Sequence, residues 1–215
     1  MAVLKSVLEF INALRPKYQH KLTKRHQIAI IVGHTNENGG AYAQPPINSR
    51  EYAYNSDLAF RLQKYIINNY FNKGIDCQII YRDDIGCSGA YSMANELDAK
   101  VIIELHFNSV SNSKINGSET LFHDNHRYSR DLAISIQDAI CDALRKGKES
   151  RGVKKLLAGD RGWGNLNLAK CPACIIEPFF GSNPADCQLV TEKRAELVES
   201  LSNALYLFVC GCKRS

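Results

Sequence analysis

Three short apolar runs, each delivering a side chain that can bind a cation or move a proton, constrain this chain more than any other feature. Ile28 to Val32 leads through Gly33 to His34, Val101 to Leu105 ends at His106, and Ala173 to Ile176 ends at Glu177. Such runs, short and rich in β-branched residues, read as strands covered on both faces. Open α/β sheets gather their ligands at the carboxyl ends of strands, so three residues far apart in sequence are expected to meet. A fourth residue, Glu51 in Ser-Arg-Glu, opens a helical pattern after the loop that follows His34.

The rest of the chain alternates in the same way. Helical stripes cover residues 50–70, 89–98, 129–147 and 185–209, and β-type runs cover 27–33, 75–82, 101–107, 117–122 and 173–179. The alternation predicts an α/β fold: a single domain with a twisted, mostly parallel or mixed sheet flanked by helices on both faces. A chain of 215 residues buries most of its apolar surface in one such domain. Gly33, Gly39-Gly40 and Pro45-Pro46 mark a long loop after the first strand, expected to line the cleft.

The net charge of +5 is local. Residues 1–25 hold six basic side chains against Glu9 alone, whereas residues 26–215 balance at 21 of each sign. The chain therefore divides into a basic amphipathic N-terminal extension, 1–25, and a neutral catalytic domain, 26–215, which offers no basic face to nucleic acid. Within the extension Val3, Leu4, Val7, Leu8, Ile11 and Leu14 recur at helical spacing as far as Pro16. That helix either docks on the domain or meets anionic membrane or wall polymer. No apolar run is long enough for a transmembrane span. Lys5, Glu9 and Asn12 interrupt the first apolar stretch, which argues against a secretory signal and for synthesis in the cytoplasm. The eight cysteines read as free thiols suited to that compartment. Cys171-Pro-Ala-Cys174 has redox spacing but leads into a strand, and a zinc cluster with Cys210 and Cys212 or disulfides are the alternatives.

Two neutral imidazoles and one carboxylate make a tripod that leaves one position of a tetrahedral Zn²⁺ open to water. A spare carboxylate then serves as proton shuttle. The surrounding residues carry a resemblance. Val-Gly-His34, Glu51 with Asn55 and the Leu58/Leu62 stripe, Tyr81-Arg82-Asp83, Met93-Ala94-Asn95, Glu104-Leu-His106-Phe-Asn108-Ser109, Asn116-Gly117-Ser-Glu119, Arg151-Gly152-Val153, Pro172-Ala173 and Glu177-Pro-Phe-Phe-Gly-Ser-Asn183-Pro184 follow one another in a family's order. These segments resemble the zinc-dependent N-acetylmuramoyl-L-alanine amidases, which cut the bond between the sugar and the stem peptide of peptidoglycan. The resemblance implies zinc held by His34, Glu51 and His106, with Glu177 as the catalytic glutamate. It also implies a peptidoglycan or muropeptide substrate met at the cell wall after release or dedicated export, as for a phage endolysin or an exported effector.

Some positions depart from that pattern or carry an open role. The family usually has a small residue where this chain has Glu104, which strand alternation puts on the same side as His106. Glu104 either orients His106 or lies deeper in the sheet against a helix. The arginine that often precedes Ala94-Asn95 in the family is missing. Asn108 either bonds substrate or ends the strand as a turn former. Trp163, between glycines, either stacks on a sugar or plugs the edge of the core. Competing readings are a zinc carboxypeptidase or deacylase, which needs Arg82 or Arg161 aimed at a substrate carboxylate, and a non-catalytic wall-binding module.

Overall fold

The computed structural model describes residues 25–144 and 150–211. The helix expected in the extension and Cys212 lie outside them. The order of elements is β1 (His26–Val32), β2 (Tyr42–Ala43), β3 (Ser49–Arg50), α1 (Glu51–Tyr70), β4 (Ile75–Ile80), α2 (Gly86–Glu96), β5 (Ala99–Leu105), β6 (Ser118–Phe122), α3 (Ser129–Leu144), β7 (Ser150–Lys155), α4 (Trp163–Leu166), β8 (Ala173–Glu177), α5 (Pro184–Glu192) and α6 (Arg194–Val209).

Six strands make one sheet in the order β4-β1-β5-β8-β6-β7. The first four run parallel, β6 runs antiparallel to β8, and β7 runs parallel to β6. The fold is thus the expected mixed α/β sheet covered by helices on both faces. Alternation along the central strands sorts their side chains between the two layers. Ile28, Ile30, Val32, Ile103, Leu105 and Ile176 face the core under α1, α3 and α6. Ala29, Ile31, Ile102 and Ile175 face the smaller core that Tyr91 and Ala94 of α2 and Leu166 of α4 complete. Ile30 and Ile103 are fully buried neighbours on adjacent strands, and truncating either to alanine is expected to cost about 2–5 kcal/mol.

Two elements differ from the sequence expectation. The stripe over 185–209 is two helices, broken at Lys193. Asn183 starts the first of them by accepting a hydrogen bond from the Asp186 N–H at 2.9 Å, with Pro184 in the first turn. Strand β7 was not anticipated. It is a polar edge strand with no apolar alternation, held by pairing with β6 rather than by burial.

Candidate active site

The parallel strands β1, β5 and β8 bring their carboxyl ends to one edge of the sheet. Leu105 pairs with Val32 on one side and Ile176 on the other, so Gly33, His106 and Glu177 follow side by side. The antiparallel strand β6 presents its amino end to the same edge, and Glu119 pairs directly with Glu177. A cleft of about 640 Å³ opens there, lined by His34, Glu51, His106, Asn108, Glu119 and Glu177 among others.

Close approach at this edge depends on two glycines. A Cβ at Gly33 would stand 2.5 Å from His106 Nε2, and one at Gly40 would stand 2.8 Å from both His34 Nε2 and Glu51 Oε2. Gly40 also holds φ at +73°. His34 itself sits in the left-handed region at φ 67°, a conformation that costs a non-glycine residue about 1–3 kcal/mol and persists where the surroundings impose it. The turn aims its ring at Glu51, the first residue of α1.

Glu51 bridges the two imidazoles. His106 Nδ1 lies 2.7 Å from Glu51 Oε1, and His34 Nε2 lies 3.1 Å from Glu51 Oε2. The backbone N–H groups of Phe107 and Ala41 donate to the same carboxylate at 3.2 and 3.3 Å. Burial alone would raise the Glu51 pKa, but the hydrogen bond to His106 and the close approach of both imidazoles outweigh it and hold the carboxyl at about 2. One donor atom from each of the three residues falls within 4.8 Å of the others. The 3.1 Å approach of His34 Nε2 does not have hydrogen-bond geometry, so this nitrogen is buried without a hydrogen-bond partner. An ionised carboxylate, an unpartnered imidazole nitrogen and two glycines that keep the space clear fit a metal ion.

The second nitrogen of His106 is already engaged, with Nε2 3.1 Å from Glu104 Oε1. Glu104 thus touches His106 and also lies in the sheet against α2, where the Tyr91 hydroxyl donates to it at 2.9 Å. Burial would lower the His106 pKa, but hydrogen bonds to Glu104 and Glu51 raise it to about 10. Without a cation the ring therefore carries a second proton, on the nitrogen that faces Glu51.

Glu177 contrasts with these paired groups. It borders the cleft, yet its Oε2 is buried without a hydrogen-bond partner. Burial pushes its pKa up to about 8, the carboxylates of Glu51 and Glu119 add to the rise, and His106 and Arg161 oppose it.

The other predicted positions sort clearly. Asn108 lines the cleft and donates to Glu119 Oε1 at 2.8 Å. Arg82 lines the cleft too, but its Nη1 donates to Glu104 at 2.9 Å instead of aiming at a substrate carboxylate. Trp163 is not among the lining residues. Half-buried, it packs against the smaller core and edge-on to His123 with ring centroids 5.6 Å apart, while its neighbours Arg161, Gly162 and Asn165 border the cleft. Sequence reasoning did not single out Glu119, whose carboxylate also receives Arg151 at 2.8 Å and Lys154 at 2.5 Å. Its signal was the Asn116-Gly117-Ser-Glu119 segment, but placing it here needed the direction of β6. Among the described residues the seven cysteines are free thiols, and the only group that could hold a metal is His34, Glu51 and His106.

Known structures share this architecture. An N-acetylmuramoyl-L-alanine amidase from Clostridium difficile 630 superposes with a TM-score of 0.72 at 20% identity, over 87% of this chain and 98% of that one. The catalytic domain of the amidase CwlV from Bacillus (Paenibacillus) polymyxa gives 0.70 at 19%, over 86% and 99%. The catalytic domain of the CD27L endolysin targeting Clostridia difficile gives 0.64 at 24%, over 89% and 100%. No curated protein sequence matches the chain. The family model for N-acetylmuramoyl-L-alanine amidase matches residues 28–206, from the first strand of the sheet into the last helix. The chain therefore belongs to the N-acetylmuramoyl-L-alanine amidases, enzymes that hydrolyse the amide between N-acetylmuramic acid and L-alanine in peptidoglycan.

Proposed function

We propose that this amidase works with zinc held by His34, Glu51 and His106, and that Glu177 moves the proton. One observation carries the proposal: beside a convergent histidine-carboxylate-histidine donor set stands a single buried carboxylate oxygen, Glu177 Oε2, with no hydrogen-bond partner of its own. When bound, the ion supplies a Lewis acid for the amide carbonyl and lowers the pKa of water. Glu177 accepts the proton of the attacking water on its free oxygen and returns it to the departing amine, since an amide anion is too poor a leaving group to depart unprotonated. Its raised pKa suits a group that must both take and give a proton near neutrality. Asn108, fixed by Glu119, presents its remaining amide groups to the cleft as a contact for the muropeptide. The basic residues 1–25 favour association with anionic wall polymer or membrane, an attraction that added salt weakens.

Metal analysis tests the ligand assignment. The chain is expected to carry about one zinc, and His34→Ala and His106→Ala to lose it on dialysis against a weak chelator. Full occupancy in both variants would refute the assignment.

A further inference from the structure

Glu104 is out of place by ordinary rules. It is a charged residue at 0% exposure near the carboxyl end of β5, flanked by the buried apolar residues Val101, Ile102, Ile103 and Leu105. On the neighbouring strands it pairs with Ile31 and Ile175. An isolated carboxylate there would be expelled or neutralised, so its surroundings must supply what water would. They do so with donors from three separate elements: Arg82 Nη1 at 2.9 Å, Tyr91 OH from α2 at 2.9 Å, and Asn165 Nδ2 from α4 at 3.1 and 3.2 Å. The fourth contact is His106 Nε2 at 3.1 Å.

The consequence lies on the far side of the ring. A neutral imidazole has one N–H and one lone pair. In the neutral ring that would bind a cation, Glu104, acceptor-only among its donors, takes the N–H at Nε2 and leaves the lone pair at Nδ1, the nitrogen directed at the proposed ligand Glu51, whose Oε1 lies 2.7 Å away. Carboxylates that receive the outer N–H of a ligating histidine fix both its tautomer and its orientation.

We propose that Glu104 is a positioning residue for the metal site: clamped by Arg82, Tyr91 and Asn165, it holds His106 as the Nε2–H tautomer, so that the ring meets the cation through Nδ1. This rests on the zinc reading above. Glu104 touches neither substrate nor reacting atoms in this role, and its effect passes through His106.

The test uses the full chain and zinc alone. Zinc affinity is measured by chelator competition for the wild type, His34→Ala, Glu104→Gln and Glu104→Ala, and the protonated nitrogen of His106 is identified from two-bond ¹H–¹⁵N spectra of the zinc-loaded proteins. Wild-type His106 is expected to be protonated at Nε2. Glu104→Ala should weaken zinc binding toward 100-fold, and Glu104→Gln, which keeps shape and an acceptor oxygen but not the charge, nearer 10-fold. The isosteric glutamine keeps the test valid if the alanine variant fails to fold. A ring protonated at Nδ1 in the wild type, or Glu104→Gln affinity within about twofold of wild type, would overturn the inference while leaving the zinc site intact. Zinc affinity that His34→Ala does not change would overturn the site itself and this inference with it.

Discussion

Two glutamates on adjacent strands, Glu104 and Glu177, meet opposite fates. Around Glu104 the fold gathers a guanidinium, a phenol, an amide and an imidazole, and although burial would raise its pKa, His106, Arg82 and Tyr91 bring it below the ordinary value. Around Glu177, two residues beyond the strand position that faces Glu104, no donor reaches Oε2, and burial drives the pKa up to about 8. Burial raises both pKa values, and the charge state turns on whether nearby donors and cations outweigh it. The first glutamate is locked as an anion and can only hold something in place. The second is poised near neutrality and is free to accept and release a proton, the division of labour that paired carboxyls serve in acid-base catalysis.

The largest expected effect breaks the comparison on the Glu177 side. Glu177→Gln keeps size and strand packing but cannot take a proton, so kcat on muropeptide should fall by about 10²- to 10⁴-fold or more with little change in KM and zinc retained. Near wild-type turnover with zinc bound would mean that another group carries the proton.

Stability should respond to the two glutamates with opposite signs in chelator-treated protein. Removing Glu104 as alanine strands Arg82, whose side chain is only 19% exposed, and should destabilise by about 3 kcal/mol. Glu177→Gln should stabilise, by an amount that depends on pH. Glu177 has an ordinary value of 4.5 and a folded value of about 8. Below the lower value both states are protonated and nothing is lost. Between them only the unfolded chain releases its proton, so wild-type stability falls as pH rises, and the loss is complete above the higher value. One pKa unit corresponds to about 1.4 kcal/mol, so the advantage of Glu177→Gln should grow to the order of 4 kcal/mol by about pH 8. Urea melts of both proteins between pH 5 and 9 would reveal a constant difference if Glu177 were ionised throughout.

The smallest effect sharpens the same contrast. Glu119 pairs across the strands with Glu177 and adds to its raised pKa, although Arg151 and Lys154 offset much of its charge. Glu119→Gln should move the Glu177 midpoint modestly down, visible as a shift of the same sign in the acidic limb of the pH-rate profile. An unchanged midpoint would show that Arg151 and Lys154 already cancel the field of Glu119 there.

Much of this could be read along the chain. The apolar runs predicted β1, β5 and β8, the carboxyl-end rule predicted that His34, His106 and Glu177 meet, and Glu51 fell as expected at the first residue of α1. These are local properties of sequence: buried strands need unbroken apolar runs, and helix starts have their own residue pattern. Strand β7 escaped because an exposed edge strand needs only a partner's hydrogen bonds and leaves no apolar period. Trp163 and Arg82 illustrate a second limit, since both residue types fit a substrate pocket, and the fold used one to close a core and the other to compensate a buried charge.

Sequence by itself determined the sheet's central strands and the set of residues available for chemistry, because burial and strand alternation are written in residue type and spacing. Only the tertiary structure decided what each carboxyl does. The antiparallel turn of β6 set Glu119 beside Glu177, and the convergence of Arg82, Tyr91 and Asn165 on Glu104 made an otherwise costly buried anion stable. A pKa is a property of neighbours in space, and those neighbours come from elements that lie far apart along the chain.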